Sequence, residues 1–177
     1  MRHRILLTGS PGSGKSASIV ALADIFPQNK VYAFDFQDGI TPLLIARGEP
    51  PPTLKLIRVV EDDIEIAWTQ LKADFAMARA ECGEGDWICS DMADVPWEMA
   101  QRFYVMRKYK MELADYLLEV GTDEKRQGRK IGFGGLEPDD WTVGIRPQYY
   151  LTIPRTLGAG CAASIIVTAG LKDVGSW

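Results

Sequence analysis

The stretch that decides how this chain is interpreted is Ile5-Leu6-Leu7-Thr8-Gly9-Ser10-Pro11-Gly12-Ser13-Gly14-Lys15-Ser16. Its first residues predict a short buried strand, and the apolar residues from Ile19 onward predict a helix that ends at Pro27. Between the two lies a glycine-rich loop, residues 9–16, with the pattern G-x-x-x-x-G-K-S. A loop in this setting turns backbone N–H groups inward, so the sequence predicts an anion site at a helix N-terminus.

The residue types of this loop indicate which anion it binds. Lys15 is placed to reach the β- and γ-phosphates of a nucleoside triphosphate, and the Ser16 hydroxyl to coordinate a shared Mg²⁺. We therefore expect ATP and Mg²⁺ as ligands. The nucleotide-binding residues predicted from the pattern are Gly9, Ser10, Pro11, Gly12, Ser13, Gly14, Lys15, Ser16 and Ala17.

Four further apolar runs predict more strands. Val31-Tyr32-Ala33-Phe34 is followed by Asp35-Phe36-Gln37-Asp38-Gly39, which puts polar side chains at the carboxyl end of a strand, where open α/β sheets bind ligands. Residues 54–60 alternate in polarity and predict a short strand, whose membership of the main sheet the pattern leaves open.

The run Trp87-Ile88-Cys89-Ser90-Asp91 predicts a strand with an aspartate at its tip. Such an aspartate typically holds the Mg²⁺ shell, so Asp91 and Ser16 are the predicted metal residues. Asp94 is a competing carboxylate, or else the cap of a following helix over residues 97–120. Residues 139–157 mix helical aromatics with two prolines and predict a broken helix.

The last strand predicted is Ala163 to Val167, which ends at Thr168. From this position a hydroxyl could touch the γ-phosphate or the attacking water. A threonine that simply ends a strand explains the sequence equally well.

Residues 121–135 combine several glycines with little periodicity and predict an exposed, mobile loop. Three interpretations stay open: a solvated charged loop, a substrate lid, and a DNA contact. The basic residues that would make this contact are Lys125, Arg126, Arg129 and Lys130.

Composition limits the class of protein. The 177 residues carry 20 basic and 24 acidic side chains, a net charge of −4, so the chain as a whole does not attract nucleic acid. Three cysteines without a C-x-x-C pair and a single histidine argue against structural zinc and for a reducing compartment. No apolar run approaches the roughly 18 residues of a membrane span, so we expect one cytoplasmic domain over residues 1–177.

Taken together, the glycine-rich loop, the Asp35-Phe36-Gln37 strand end and the Asp91 strand resemble those of RecA-like P-loop ATPases. More narrowly, the chain is similar to AAA-type nucleotide-binding proteins encoded by phages and prophages. The resemblance implies a three-layer α/β fold with a mostly parallel sheet in the order 5-1-4-3-2. It also implies ATP hydrolysis that serves DNA recombination, replication or packaging in the host cytoplasm, and assembly into homo-oligomers.

Two departures from the RecA-like pattern affect these expectations. The family's water-activating glutamate corresponds to Gln37, which can orient a water molecule but cannot take its proton, so either Asp35 or Asp38 substitutes or hydrolysis is slow. The sequence also ends soon after the fourth expected strand. We therefore expect either a C-terminally incomplete domain or a partner that supplies the missing strand, with the strand before the glycine-rich loop at an open edge of the given chain.

Two other functions fit the same loop. A small nucleotide or metabolite kinase would use residues 121–135 as a lid over two phosphate-bearing substrates. A nucleotide-binding module without useful turnover would explain Gln37.

Overall fold

The computed structural model of the chain describes residues 2–60, 62–126, 136–158 and 160–170. Its centre is one sheet in which every neighbouring pair of strands is parallel. The strands are β1 (Arg4–Gly9), β2 (Val31–Asp35), β3 (Leu54–Arg58), β4 (Trp87–Asp91) and β5 (Ser164–Gly170). Because all five run the same way, their carboxyl ends meet along one edge of the sheet.

The order across the sheet is β1-β5-β4-β2-β3. The order implied by the resemblance did not include β3. The other four strands lie in that implied order, with β1 beside β5, β5 beside β4 and β4 beside β2. The open question about residues 54–60 is settled, because β3 pairs with β2 at the far edge of the sheet. Within the described ranges β1 pairs with β5 alone. The predicted burial of this strand is therefore wrong at Ile5 and Leu6, which are 37% and 64% exposed because β1 lies at the edge of the described sheet.

Helices cover both faces of the sheet. The helices α1 (Lys15–Ile25) and α2 (Thr41–Arg47) lie on one face, where Ile19 and Ala23 pack against Ala33 and Cys89. The opposite face carries α3 (Ile64–Glu81), α4 (Asp94–Tyr109), α5 (Leu113–Arg126), a π-helix (Asp140–Ile145), α6 (Arg146–Thr152) and α7 (Pro154–Leu157). The fold is thus α/β with three layers.

The central strands are buried on both sides, as expected for parallel strands. All five residues of β2 and all five of β4 are buried. Phe34 stacks on Phe75 of α3 with ring centroids 3.9 Å apart. None of the helices in the described part of the chain has the length and apolarity that a bilayer crossing requires.

The single helix predicted over residues 97–120 is wrong, because the chain forms two helices there. Lys110 adopts a left-handed conformation with φ 59°, and its N–H bonds to the Met106 carbonyl, which ends α4. The reversal lets Tyr109 stack on Tyr116 of α5 with centroids 4.3 Å apart. No glycine or proline marks this break, so local pattern alone could not reveal it.

The predicted loop over residues 121–135 also needs correction at its start. Residues 121–126 continue α5 as far as Arg126. Glu124, Lys125 and Arg126 are strong helix formers, and they outweigh the cost of about 1 kcal/mol for one glycine in a helix. Residues 127–135, including Arg129 and Lys130, lie outside the described residues.

The broken helix predicted over residues 139–157 is confirmed as the π-helix, α6 and α7 in succession. Asp140, which is 1% exposed, joins this segment to α4. Its carboxylate accepts hydrogen bonds from the Tyr104 hydroxyl at 2.7 Å, the Tyr109 hydroxyl at 2.9 Å and the Lys108 ammonium. The Glu137 amide donates a fourth at 3.0 Å. Every described donor around this carboxylate favours its charged form.

These contacts decide the charge state of Asp140. Burial raises the pKa of the carboxyl, but the hydrogen bonds from Lys108, Tyr104 and Tyr109 outweigh burial and hold the pKa at about 2. Since this pKa lies below the unfolded value of about 3.9, ionisation of Asp140 stabilises the fold above pH 4. That contribution is lost as the pH falls toward 2.

We predict that Asp140→Asn lowers the free energy of unfolding by about 1–3 kcal/mol at pH 6, because the charge-assisted hydrogen bonds are lost. Asp139→Asn is the matched control, since Asp139 is the exposed neighbour, and we expect a change within about 0.5 kcal/mol. Urea unfolding measured from pH 6 to pH 2.5 should show the deficit of Asp140→Asn shrinking below pH 4. A deficit that stays constant over this range would contradict the assignment.

Candidate functional site

The glycine-rich loop, residues 9–16, connects the carboxyl end of β1 to the first turn of α1. Gly12 and Gly14 have φ values of 78° and 87°, which side chains other than glycine rarely tolerate. Residues 10–14 are all exposed, so a ligand can reach the loop from solvent. The loop therefore forms an accessible turn at the N-terminus of an eleven-residue helix.

Lys15 is folded over this loop. Its ammonium donates to the Gly9 carbonyl at 2.8 Å and to the Ser10 carbonyl at 3.0 Å. The positive charge is thus held at the loop itself, where the helix N-terminus adds its own positive potential. Ala17 follows on the exposed side of α1.

A carboxylate at the end of β4 connects this loop to the sheet. The Ser16 hydroxyl donates to Asp91 Oδ2 at 2.5 Å, and the Thr168 hydroxyl donates to Asp91 Oδ1. Asp91 is 4% exposed and Thr168 is fully buried. The structure therefore brings together Ser16, Asp91 and Thr168 from three different elements.

Asp35 ends β2 directly beside Asp91, since the two are paired in register. Its carboxylate accepts hydrogen bonds from the amides of Gly39, Ile40 and Thr41, at 2.9 to 3.2 Å. Asp35 is 1% exposed. Its carboxylate therefore holds the start of α2 and the loop before it, residues 36–40.

The other polar residues of this loop point elsewhere. Asp38 is exposed and forms an ion pair with Arg58 at 3.0 Å. Gln37 is exposed, and its side chain makes no hydrogen bond to any residue that the structure describes. Asp94, the alternative to Asp91, lies exposed in the first turn of α4.

Gly39 is a site residue that the sequence analysis missed. A Cβ atom on Gly39 would lie 2.9 Å from Ser16 Oγ and 3.4 Å from Asp91 Oδ2. Only glycine lets the loop over residues 36–40 approach the Ser16 and Asp91 pair this closely. The Asp38-Gly39 dipeptide signals a turn in the sequence, but nothing in it indicates this contact.

The oxygen atoms available to a cation are few. In the described ranges no group of three or more histidine, cysteine, aspartate or glutamate side chains is arranged to hold a metal ion. Mg²⁺ commonly takes only one or two protein oxygens and completes its shell with phosphate and water. The adjacent oxygens of Ser16 and Asp91 fit this coordination. The Ser16 hydroxyl donates a hydrogen bond to the carboxylate, and the lone pairs of its oxygen stay available for a cation.

The cysteines take no part in this site. Cys82, Cys89 and Cys161 are all free and buried. Burial raises the pKa of the Cys82 thiol to about 12 and raises that of Cys89 as well. Since the thiolate is the reactive form, neither of these two residues is a nucleophile at neutral pH.

In comparisons with known proteins, no family model matches the chain, and no curated protein matches it.

We predict that Thr168→Val destabilises the fold by about 1–3 kcal/mol, because a buried carboxylate oxygen of Asp91 loses its donor. Thr152→Val is the matched control: Thr152 is also buried, but its hydroxyl donates to a helix carbonyl, that of Gln148. Chemical unfolding should show a small change for the control. Equal losses for the two variants would contradict a special role for the Thr168 hydroxyl.

Proposed function

We propose that this chain binds MgATP at the glycine-rich loop and hydrolyses it to ADP and phosphate. The observation that carries the proposal is the contact of Ser16 with Asp91 directly behind the loop, at the carboxyl edge of a parallel sheet. This edge is the general ligand-binding position of open α/β folds. A hydroxyl, a buried carboxylate and a lysine around one anion site are the groups that a metal-bound triphosphate requires.

Each residue has a separate task in this proposal. Lys15 leaves the Gly9 and Ser10 carbonyls and binds the phosphates, and the loop amides hold the phosphate oxygens. Ser16 and Asp91 hold the Mg²⁺, which when bound neutralises phosphate charge. Thr168 keeps Asp91 in place by its hydrogen bond.

Water activation is the weakest part of the site. Asp35 is occupied by three backbone amides, and Asp38 is paired with Arg58. We therefore assign the orientation of the attacking water to Gln37, the remaining polar residue of the loop. Because an amide cannot accept the proton of water, this assignment predicts slow turnover in the isolated chain.

We propose the class of ATPase from the strand order and the loop sequence. The arrangement of β1, β5, β4 and β2 supports a RecA-like ATPase, and hence a homo-oligomer that acts on DNA in recombination, replication or packaging. A phage origin rests on the sequence resemblance alone. The basic residues Lys125, Arg126, Arg129 and Lys130 remain the proposed DNA contact of segment 121–135.

The experiment that tests the function measures phosphate release from MgATP, with and without single-stranded DNA, beside transfer of phosphate to nucleoside monophosphates. We expect slow release by the wild type and its loss in Lys15→Ala. Lys30→Ala is the matched control, because Lys30 lies before β2 at the opposite edge of the sheet. Phosphate transfer would establish a kinase instead, and unchanged release by Lys15→Ala would reject the site.

We predict that Gly39→Ala weakens MgATP binding by about tenfold, because the new methyl group displaces the Ser16 hydroxyl from its position beside Asp91. Gly83→Ala is the control, since a Cβ there meets no atom closer than 3.9 Å. Titration with a fluorescent ATP analogue, with Mg²⁺ and with EDTA, measures the effect. If Gly39→Ala binds MgATP with wild-type affinity, the loop over residues 36–40 does not restrict the positions of Ser16 and Asp91, the proposed metal residues.

A further inference from the structure

A cavity opens between α4 and the π-helix, and no residue of the glycine-rich loop lines it. It has a volume of about 490 Å³ and is lined by Trp97, Gln101, Trp141 and Arg146. Trp97 lies in the first turn of α4, and Gln101 lies one turn further along the same helix. Trp141 belongs to the π-helix, and Arg146 begins α6.

The aromatic wall of this cavity is rigidly built. The rings of Trp97 and Trp141 stack with centroids 6.1 Å apart and an angle of 26°. Tyr149 meets Trp97 edge-on, with centroids 5.3 Å apart. Both tryptophans are only half-buried, so indole surface held in a fixed orientation remains open to a ligand.

The polar groups of the cavity complement this flat surface. Arg146 is exposed, and within the described ranges no residue forms an ion pair or hydrogen bond with its guanidinium. Gln101 donates from its amide nitrogen to the Trp97 carbonyl at 3.3 Å, which turns the side chain along the cavity wall. Asp140, the buried carboxylate next to Trp141, is paired with the Lys108 ammonium, which does not line the cavity.

A flat apolar ligand with an anionic group fits this combination. An indole face stacks on planar heteroaromatic rings, and a guanidinium binds a phosphate or stacks in turn. A nucleobase that carries a phosphate has both parts. The four residues that line the cavity do not surround a ligand with hydrogen-bond donors and acceptors. This arrangement favours stacking, which tolerates any base.

We propose that Trp97, Trp141 and Arg146 form a binding site for an unpaired nucleobase and its phosphate. The ligand is either a free nucleotide or a base of a single strand, because both present the same chemistry. The site is separate from the glycine-rich loop and does not depend on ATP hydrolysis. Stacking on Trp141 supplies most of the affinity, and Arg146 makes it dependent on salt.

The test uses the full chain in buffer without Mg²⁺ and measures tryptophan fluorescence during titration with thymidine monophosphate and with oligothymidylate. We expect quenching, and a loss of affinity of about 5- to 100-fold in Trp141→Leu and in Arg146→Ala. Partial recovery is expected in Trp141→Phe. Quenching by the mononucleotide identifies a nucleotide site, and quenching by the oligonucleotide alone identifies a single-strand site.

Matched controls separate this site from general effects. Tyr150→Leu replaces an exposed aromatic of α6 that does not line the cavity, and Arg79→Ala removes an exposed arginine of α3. Lys15→Ala should bind the oligonucleotide as the wild type does, so loss of the ATP site and loss of this site give different results. Unchanged binding in both Trp141→Leu and Arg146→Ala, or equal losses in the controls, would overturn the proposal.

Discussion

The buried carboxylate of Asp91 is the constraint on which the rest of the site depends. A carboxylate that is 4% exposed requires donors, and it finds them in the hydroxyls of Ser16 and Thr168. These three residues come from β4, α1 and β5, so one charged group fixes the start of α1 relative to two neighbouring strands. The Asp91 carbonyl also accepts from the Phe36 amide at 2.9 Å, which adds the end of β2 to the same junction. The parallel register brings all of these groups to one edge.

Much of this arrangement could be predicted from local sequence. Strand, glycine-rich loop and helix follow one another within 25 residues, and each has its own periodicity or breaker, so their order and the position of Lys15 at the start of the helix could be predicted directly. Asp91 could be placed because a buried apolar run precedes it, and the structure indeed puts it against Ser16. The three inner strands, β2, β4 and β5, were predictable for the same reason, since parallel strands buried on both faces are short and continuously apolar.

What could not be predicted depends on contacts between distant residues. Lys110 ends α4 in a left-handed conformation, and no glycine in the sequence signals it. The packing of Tyr109 on Tyr116 stabilises the reversal. Asp140 resembles a helix cap in the sequence but is buried among donors from α4, more than thirty residues away. Gly39 has importance only because Ser16 and Asp91 lie behind it. Each of these positions has an ordinary local signal, and its role emerges only from the tertiary structure.

The geometry also determines what ligand binding must change and what it can leave in place. The Ser16 hydroxyl donates a hydrogen bond to Asp91, and the lone pairs of its oxygen stay available. A cation could therefore bind there without breaking the hydrogen bonds of the carboxylate. Lys15 differs, because its two bonds to the Gly9 and Ser10 carbonyls compete with any anion. In the proposed complex, phosphate binding would exchange two neutral acceptors for a charged one. Because the lysine ammonium is positively charged, it is attracted more strongly to an anionic phosphate oxygen than to a neutral carbonyl, so the exchange would favour the anion and the lysine would contribute only the difference. In the proposed complex, Ser16 and Asp91 would therefore hold the metal without rearrangement, whereas Lys15 would have to leave its two carbonyls to reach the phosphate.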